Sequence, residues 1–241
     1  MSNKIEIDFL DLFSGIGGFS LGFQQAGFTI KNHYYSEIDK NAIANYSYNF
    51  KNSIYAGAIE NIRGTSLGKV DIITFGSPCQ DFSVAGKGEG LNGKRSNLIQ
   101  EAIRLITEKK PSFFIWENVK GAFSTNDRAD FWAIIQAFTN IGLYRLEWQL
   151  LNTLWIHPQS RERIYLVGHL ATHGRDFKPV FPISENDRLF EETGKTNESQ
   201  QQTQHCGTIG TKSNRASNTF IKANRFSKKQ QDRIYEVDGA M

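Results

Sequence analysis

The sequence predicts an α/β protein built on a doubly wound sheet, and three observations carry that prediction. From residue 5 to about residue 170, apolar runs of strand length alternate with longer segments of helical period, the rhythm of βαβ units around a parallel sheet. Gly27 and Gly142 stand where two of the helical segments should end. The first strand runs into a glycine-rich turn, Asp11-Leu12-Phe13-Ser14-Gly15-Ile16-Gly17-Gly18, that opens the first helix.

Taken in order, strands are expected at residues 7–13, 32–36, 70–75, 113–116, 145–151 and 164–168. Helices are expected at 19–26, 40–50, 98–109 and 131–141, where apolar residues fall three or four apart and give each helix one buried stripe. Residues 1–180 read as the main domain and 181–241 as a polar connection. Within the latter, 191–204 is Gln-rich without apolar period, and 212–233 scatters Lys and Arg among Ser and Asn.

The composition fits that reading. A chain of 241 residues, 39% hydrophobic, buries one substantial core. Its N-terminus lacks the basic and apolar regions of a signal peptide, and no run is long enough to span a membrane. Cys79 and Cys206 are the two cysteines, neither in a CxxC nor in a cluster with metal-ligand spacing, so a disulfide scaffold and structural zinc are poor readings and a reducing cytoplasm fits. A formal charge of +3 and a pI near 8.8 permit a polyanionic partner without demanding one.

A glycine turn between strand and helix lets backbone approach a ligand, whose anionic end can meet the helix N-terminal amides. The GxGxxG dinucleotide spacing fails at Ser20, and no GKS or GKT follows. Alone, the loop serves equally well as a packing turn. Glu37, about twenty residues on, ends the second strand, where an acid can accept hydrogen bonds from both ribose hydroxyls; by itself it reads as a solvated carboxylate.

Two further groups fall at the carboxyl edge of the expected sheet, where ligand crevices form. The strand at 70–75 leads into Gly76-Ser77-Pro78-Cys79-Gln80-Asp81-Phe82-Ser83, whose polar neighbours mark Cys79 as a thiol available for attack rather than a core residue. The strand at 113–116 leads into Glu117-Asn118-Val119, where partial burial would raise the carboxyl pKa and let it donate a proton. A third group, Gln159-Ser160-Arg161-Glu162-Arg163, puts two arginines on one side of a strand by alternation, suited to an anionic or carbonyl-bearing substrate. Read blandly, it is a charged strand entrance.

In this order and spacing, the four groups resemble the motifs of the cytosine C5 DNA methyltransferases over roughly residues 5 to 170. The DLFSGIGGF loop resembles their cofactor loop, Pro78-Cys79-Gln80 their catalytic PCQ, Glu117-Asn118-Val119 their ENV, and Gln159, Arg161 and Arg163 their QxRxR. The segment from Arg233 to Gly239 resembles what precedes the family's target-recognition region. The resemblance implies a Rossmann-like methyltransferase fold, truncated before the target-recognition domain, that binds S-adenosylmethionine through Phe13, Ser14, Gly15, Gly17, Gly18, Glu37, Ile38, Ala58, Ile59 and Pro78. It departs from the family at Ala58, where the pattern has an acid that bonds the adenine amino group.

By the same resemblance, Cys79 attacks cytosine C6, Glu117 protonates N3, Arg163 holds the cytosine carbonyl and keeps the thiol region electropositive, and Arg161 is counted with them as a catalytic residue. Gln80, Ser83, Asn118 and Gln159 are the remaining substrate-side residues. Residues 80 to 90, with Gly86, Gly88 and Gly90, read either as a loop able to close over a base flipped from the duplex or as a plain flexible loop. The expected partners are duplex DNA and a complementing chain that carries the target-recognition domain. The competing expectations are cytosine methylation in RNA, an inactive cofactor-binding remnant, and a nicotinamide-cofactor enzyme.

Overall fold

A computed structural model describes residues 5–76, 97–121, 129–171, 178–183 and 207–209. Its strands are β1 (Glu6–Leu12), β2 (Thr29–Ser36), β3 (Ser53–Tyr55), β4 (Ile72–Gly76), β5 (Phe113–Val119), β6 (Tyr144–Asn152), β7 (Glu162–Leu170) and β8 (Gly207–Ile209). The helices are α1 (Gly18–Gln25), α2 (Lys40–Asn49), α3 (Asn97–Lys109) and α4 (Ala129–Thr139). The strands form one sheet in the order β3-β2-β1-β4-β5-β7-β6-β8.

β1 to β5 pair in parallel, and the order reverses at β1, the mark of a doubly wound sheet whose ligand crevice opens at the carboxyl ends of its strands. β7 differs from the parallel expectation: it lies antiparallel between β5 and β6. The link from Asn152 to Glu162 has room for one 3-10 turn (Thr153–Trp155) but not for a crossover helix, so β6 and β7 close as a hairpin.

The helices cover both faces. Phe9 and Ile72 pack against Phe19, Phe23 and Phe28 on one face, joined there by Tyr35 with Tyr46 and Phe50 of α2. On the other, Leu10, Leu12, Ile73, Phe75, Phe114, Trp116, Leu146 and Trp148 meet Leu105 and Ile106 of α3 and Phe131, Ile135 and Phe138 of α4. Each such side chain contributes about 1.5–3 kcal/mol by leaving water. The amphipathic stripes seen in the sequence are these contacts.

All six expected strands and four expected helices form, with ends shifted by a few residues; Gly27 and Gly142 both take the left-handed backbone of helix ends. β3 was not anticipated, because three residues carry no readable period. Nor was β8, which pairs Gly207–Ile209 with Leu146, Glu147 and Trp148 of β6. Residues 178–183 are also held to β6: Glu147 accepts from the amides of Val180 (2.9 Å) and Phe181 (3.1 Å), and Gln149 exchanges two bonds with Ile183 (2.7 and 2.8 Å). Among the described residues, no helix is long and apolar enough to cross a membrane.

Candidate active site

The loops that follow β1, β2 and β3 are bonded in series at the carboxyl edge. The Ser14 amide donates to the Ser36 carbonyl (3.0 Å), and the Ser36 hydroxyl donates to the Gly57 carbonyl (2.8 Å). Phe13, Ser14, Gly15, Glu37 and Ala58 are thereby brought to one rim. Within the first loop, Phe13 holds a φ of 50°, rare for a residue with a β-carbon, and Gly15 and Gly17 follow at 54° and 92°. Gly17 has a second constraint: a Cβ there would lie 2.2 Å from Cε2 of Phe50.

Glu37 faces this loop. Its Oε2 accepts from the Gly15 amide (2.9 Å) and its Oε1 from the amides of Ile38 (2.7 Å) and Asp39 (3.0 Å). The carboxylate is fixed in orientation and keeps lone pairs for hydroxyl donors. No side chain caps the N-terminus of α1, and the buried Ser14 Oγ has no hydrogen-bond partner among the described residues. Such a rim suits a ligand with an anionic end and a ribose diol. Ala58 is half-buried and begins a 3-10 turn (Ile59–Asn61); the Ile59 side chain is in the core, which leaves only its backbone for a ligand, and Ile38 points to solvent. α3 holds this turn from below, with Arg104 donating to the carbonyls of Ile59 (3.3 Å) and Ile62 (2.8 Å).

The second part of the rim lies across β4, β5 and β7. Glu117 pairs with Gly76 of β4 and with Tyr165 of β7, and its Oε1 lies 2.9 Å from Nε of Arg163. A Cβ on Gly76 would come within 2.9 Å of Glu117 Oε2, so the glycine that opens the cysteine loop also makes room for the carboxylate. Arg161 is exposed, its amide held by Asn152 Oδ1 (3.1 Å). Gln159 is exposed in the β6–β7 turn, its carbonyl accepting from the Thr153 hydroxyl (2.5 Å). Asn118 is not part of this group: alternation turns it to the opposite face of β5, where it is buried. Pro78, Cys79, Gln80 and Ser83 lie outside the described residues.

Sequence reasoning missed Tyr165. Burial raises its pKa, the nearby Glu117 charge adds to the rise, and Arg161 and Arg163 oppose it, so the four side chains share one electrostatic environment. Counting two residues on from Arg163 along the strand would have found it. Also missed was a buried polar cluster around Asp11, beneath the glycine loop.

An acid beside an arginine stands at one end of the rim, and a carboxylate over a glycine loop at the other. The sequence pattern of the C-5 cytosine-specific DNA methylases matches residues 7–238. The chain belongs to that family. This family member is 39% identical over 160 residues to the type II methyltransferase M.Bsp6I of Bacillus sp. (strain RFL6), covering 65% of this chain and 50% of that one. It is also 39% identical over 184 residues to the type II methyltransferase M.HaeII of Haemophilus aegyptius, covering 76% and 57%. Against the orphan methyltransferase M.SPRI of Bacillus phage SPR the identity is 35% over 162 residues, covering 66% and 37%. A solved structure of a candidate DNA modification methyltransferase encoded within an E. coli prophage superposes with a TM-score of 0.53 at 28% identity, covering 68% of this methylase-family chain and 47% of that one. The chain thus spans about half the length, or less, of several relatives it matches.

Proposed function

We propose that this chain supplies the cofactor-binding and catalytic part of a DNA cytosine C5 methyltransferase. The observation that carries the reading is the Glu117–Arg163 pair (2.9 Å), set against Gly76, three residues before Cys79 in the sequence. A proton donor for N3 and a cation for the carbonyl stand together where the cysteine loop leaves the sheet.

S-adenosylmethionine fits the first part of the rim: Ser14 Oγ and the uncapped start of α1 suit its carboxylate end, Glu37 its ribose hydroxyls, and Phe13 and Ile38 its adenine. Ala58 offers no side-chain acceptor to the adenine amino group, so the backbone from Gly57 to Ile59 carries that contact. When bound, the cofactor supplies the methyl group from its sulfonium.

In this mechanism the Cys79 thiolate adds to cytosine C6 while Glu117 gives a proton to N3, so that electron density reaches C5 without leaving a charge on the ring. Arg163 orients Glu117 through Nε and, with Arg161, holds the cytosine carbonyl. Tyr165 flanks the carboxylate. After methylation, loss of the C5 proton to solvent expels the Cys79 thiolate, and N3 returns its proton to Glu117, which restores the neutral aromatic ring. The base must leave the duplex for C6 to be reached, at a cost of a few kcal/mol. Gln80, Ser83 and Gln159 complete the substrate side, and the setting is the cytoplasm.

The test is transfer of a labelled methyl group from S-adenosylmethionine to unmethylated duplex DNA, with tRNA as the competing substrate. The chain is assayed alone and mixed with the product of any adjacent reading frame, which tests the expectation of a complementing chain. Transfer to DNA that disappears in Cys79→Ala supports the reading. Transfer to C5 that survives Cys79→Ala refutes the mechanism, and transfer to tRNA alone refutes the substrate.

A further inference from the structure

Beneath the glycine loop, five polar side chains from five elements converge in the core: Asp11 of β1, Ser20 of α1, His33 of β2, Tyr46 of α2 and Thr74 of β4. Ser20, Tyr46 and Thr74 are fully buried, Asp11 is 1% exposed and His33 5%. Among the described residues no cation pairs with Asp11, and the charge that acts on it is Glu37, also negative. None of the five has a part in the proposed chemistry.

Their protons can be counted. Three oxygens form a closed triangle: Asp11 Oδ2 to Ser20 Oγ 3.1 Å, Asp11 Oδ2 to Tyr46 OH 3.2 Å, and Ser20 Oγ to Tyr46 OH 2.5 Å. Three contacts need three protons, yet the two hydroxyls bring only two. If Asp11 is ionised and both hydroxyls donate to it, the shortest contact sets lone pair against lone pair. If one hydroxyl turns to the other, a buried carboxylate loses a donor. A proton on Asp11 Oδ2 lets every oxygen donate once and accept once around the ring. His33, kept neutral by burial with its pKa lowered to about 4, then closes the arrangement by donating from Nε2 to Ser20 (3.0 Å) and Tyr46 (2.7 Å), and Thr74 donates to Asp11 Oδ1 (2.9 Å).

We propose that Asp11 is a positioning residue held as a neutral acid, and that its proton closes the Asp11–Ser20–Tyr46 ring that fixes the glycine loop, so that ionisation loosens the loop and weakens cofactor binding. The coupling is direct. Asp11 and Ser20 bracket the loop, and their bond spans it. The Tyr46 ring, stacked on Tyr35 at 4.1 Å, lies with Phe50 against Gly17, where a Cβ would meet Tyr46 Cε2 at 3.0 Å and Phe50 Cε2 at 2.2 Å. A shift of the Tyr46 hydroxyl is therefore felt at the start of α1. Burial pushes the Asp11 carboxyl up to about 7, with bonds from Thr74, Ser20 and Tyr46 opposing the rise and the Glu37 charge adding to it. The titratable groups that face it are thus Tyr46 from α2, Glu37 after β2 and, through the hydroxyls, His33 of β2.

The effect on cofactor rests on the functional reading above; the effect on the loop does not, and the experiment separates them. In the labelled chain, the amide resonances of Gly15 and Gly17 and the carboxyl carbon of Asp11 are followed from pH 5 to 9, beside the affinity for S-adenosylhomocysteine. All three resonances should titrate with one midpoint near 7 in the wild type, and affinity should fall about tenfold across it. Asp11→Asn, which keeps one donor and one acceptor, should give flat glycine amides and the low-pH affinity throughout. An Asp11 carboxyl that titrates below pH 5, or glycine amides that titrate identically in Asp11→Asn, overturns the proposal; the first readout needs no variant and stands even where Asp11→Asn does not fold. Glycine amides that titrate with Asp11 in a chain that binds no cofactor at any pH uphold the loop mechanism and overturn the functional reading instead.

Discussion

Gly17 is where the packing and backbone arguments can be separated. Replacing it with alanine sets a Cβ at 2.2 Å from Phe50 Cε2, 2.9 Å from Phe50 Cζ and 3.0 Å from Tyr46 Cε2, on a backbone with φ of 92°. The left-handed backbone costs a residue with a β-carbon about 1–2 kcal/mol, and overfilling a packed site adds about 1–3 kcal/mol. The expected loss for Gly17→Ala is therefore about 2–5 kcal/mol. Gly15 is the control: its φ is 54°, yet a Cβ there would meet nothing within 4 Å, so Gly15→Ala carries the backbone cost without the clash. Urea unfolding of the two variants reads the difference as a change in midpoint at constant slope. If Gly17→Ala costs no more than Gly15→Ala, the Phe50 ring yields freely and the argument that α2 sets the position of the glycine loop is wrong.

Other expected outcomes follow from the same contacts. Glu117→Gln should lower kcat for methyl transfer by roughly 10²–10⁴-fold, the range of a lost general acid. Its stability should change by less than about 1 kcal/mol, since the Arg163 pair is partly open to water; thermal unfolding and steady-state kinetics check the two halves. Glu147→Ala leaves the Val180 and Phe181 amides without this acceptor and removes one partner of His169, so a loss of about 1–3 kcal/mol for each amide left unsatisfied is expected, with faster proteolysis near residues 178–183. For Asp11 the sign is that of a carboxyl whose folded pKa, about 7, stands above its unfolded value of 3.8. Its contribution is fully present below pH 3.8 and is lost as pH rises to about 7. The stability of the wild type relative to Asp11→Asn should thus fall across that window, by on the order of 4 kcal/mol, and level off above it; a difference that is constant with pH refutes this.

The helices and central strands were legible because burial imposes a period on them. Phe131, Ile134, Ile135 and Phe138 recur on one face of α4, and Phe114 and Trp116 on one face of β5. The antiparallel setting of β7 was not legible, since apolar alternation fixes which face a strand buries but not its direction. That depended on the length of the link to β6. The rim residues Glu37, Glu117 and Arg163 were found because they lie near strand ends, where a polar residue breaks the apolar run. The Asp11 cluster escaped for the opposite reason: Asp11, Ser20, His33, Tyr46 and Thr74 look like ordinary polar interruptions, and only the fold makes them neighbours. Asn118, placed with Glu117 by the ENV resemblance, is parted from it by strand alternation.

That alternation orders the polar groups of the whole sheet. Paired residues share a face, and the registers can be followed from Tyr35 to Asp11, Asp11 to Thr74, Thr74 to Ile115 and, two residues on, Glu117 to Tyr165 and Tyr165 to Gln149. His33, Gly76, Arg163 and Glu147 are alternate residues on the same strands, so the Asp11 cluster, the Glu117–Arg163 pair and the Glu147 clip all lie on one side of the sheet. The other side takes Leu10, Leu12, Ile73, Phe75, Phe114, Trp116, Leu146 and Trp148 into the largest apolar cluster. The division has a physical consequence. The apolar side draws its stability from burial that changes little with pH, whereas each polar group on the opposite side depends on a partner's charge or proton. Substitutions that disturb the apolar side should therefore shift unfolding at every pH, while those at Asp11 should change the pH dependence of unfolding and those at Glu117 the chemistry at the rim.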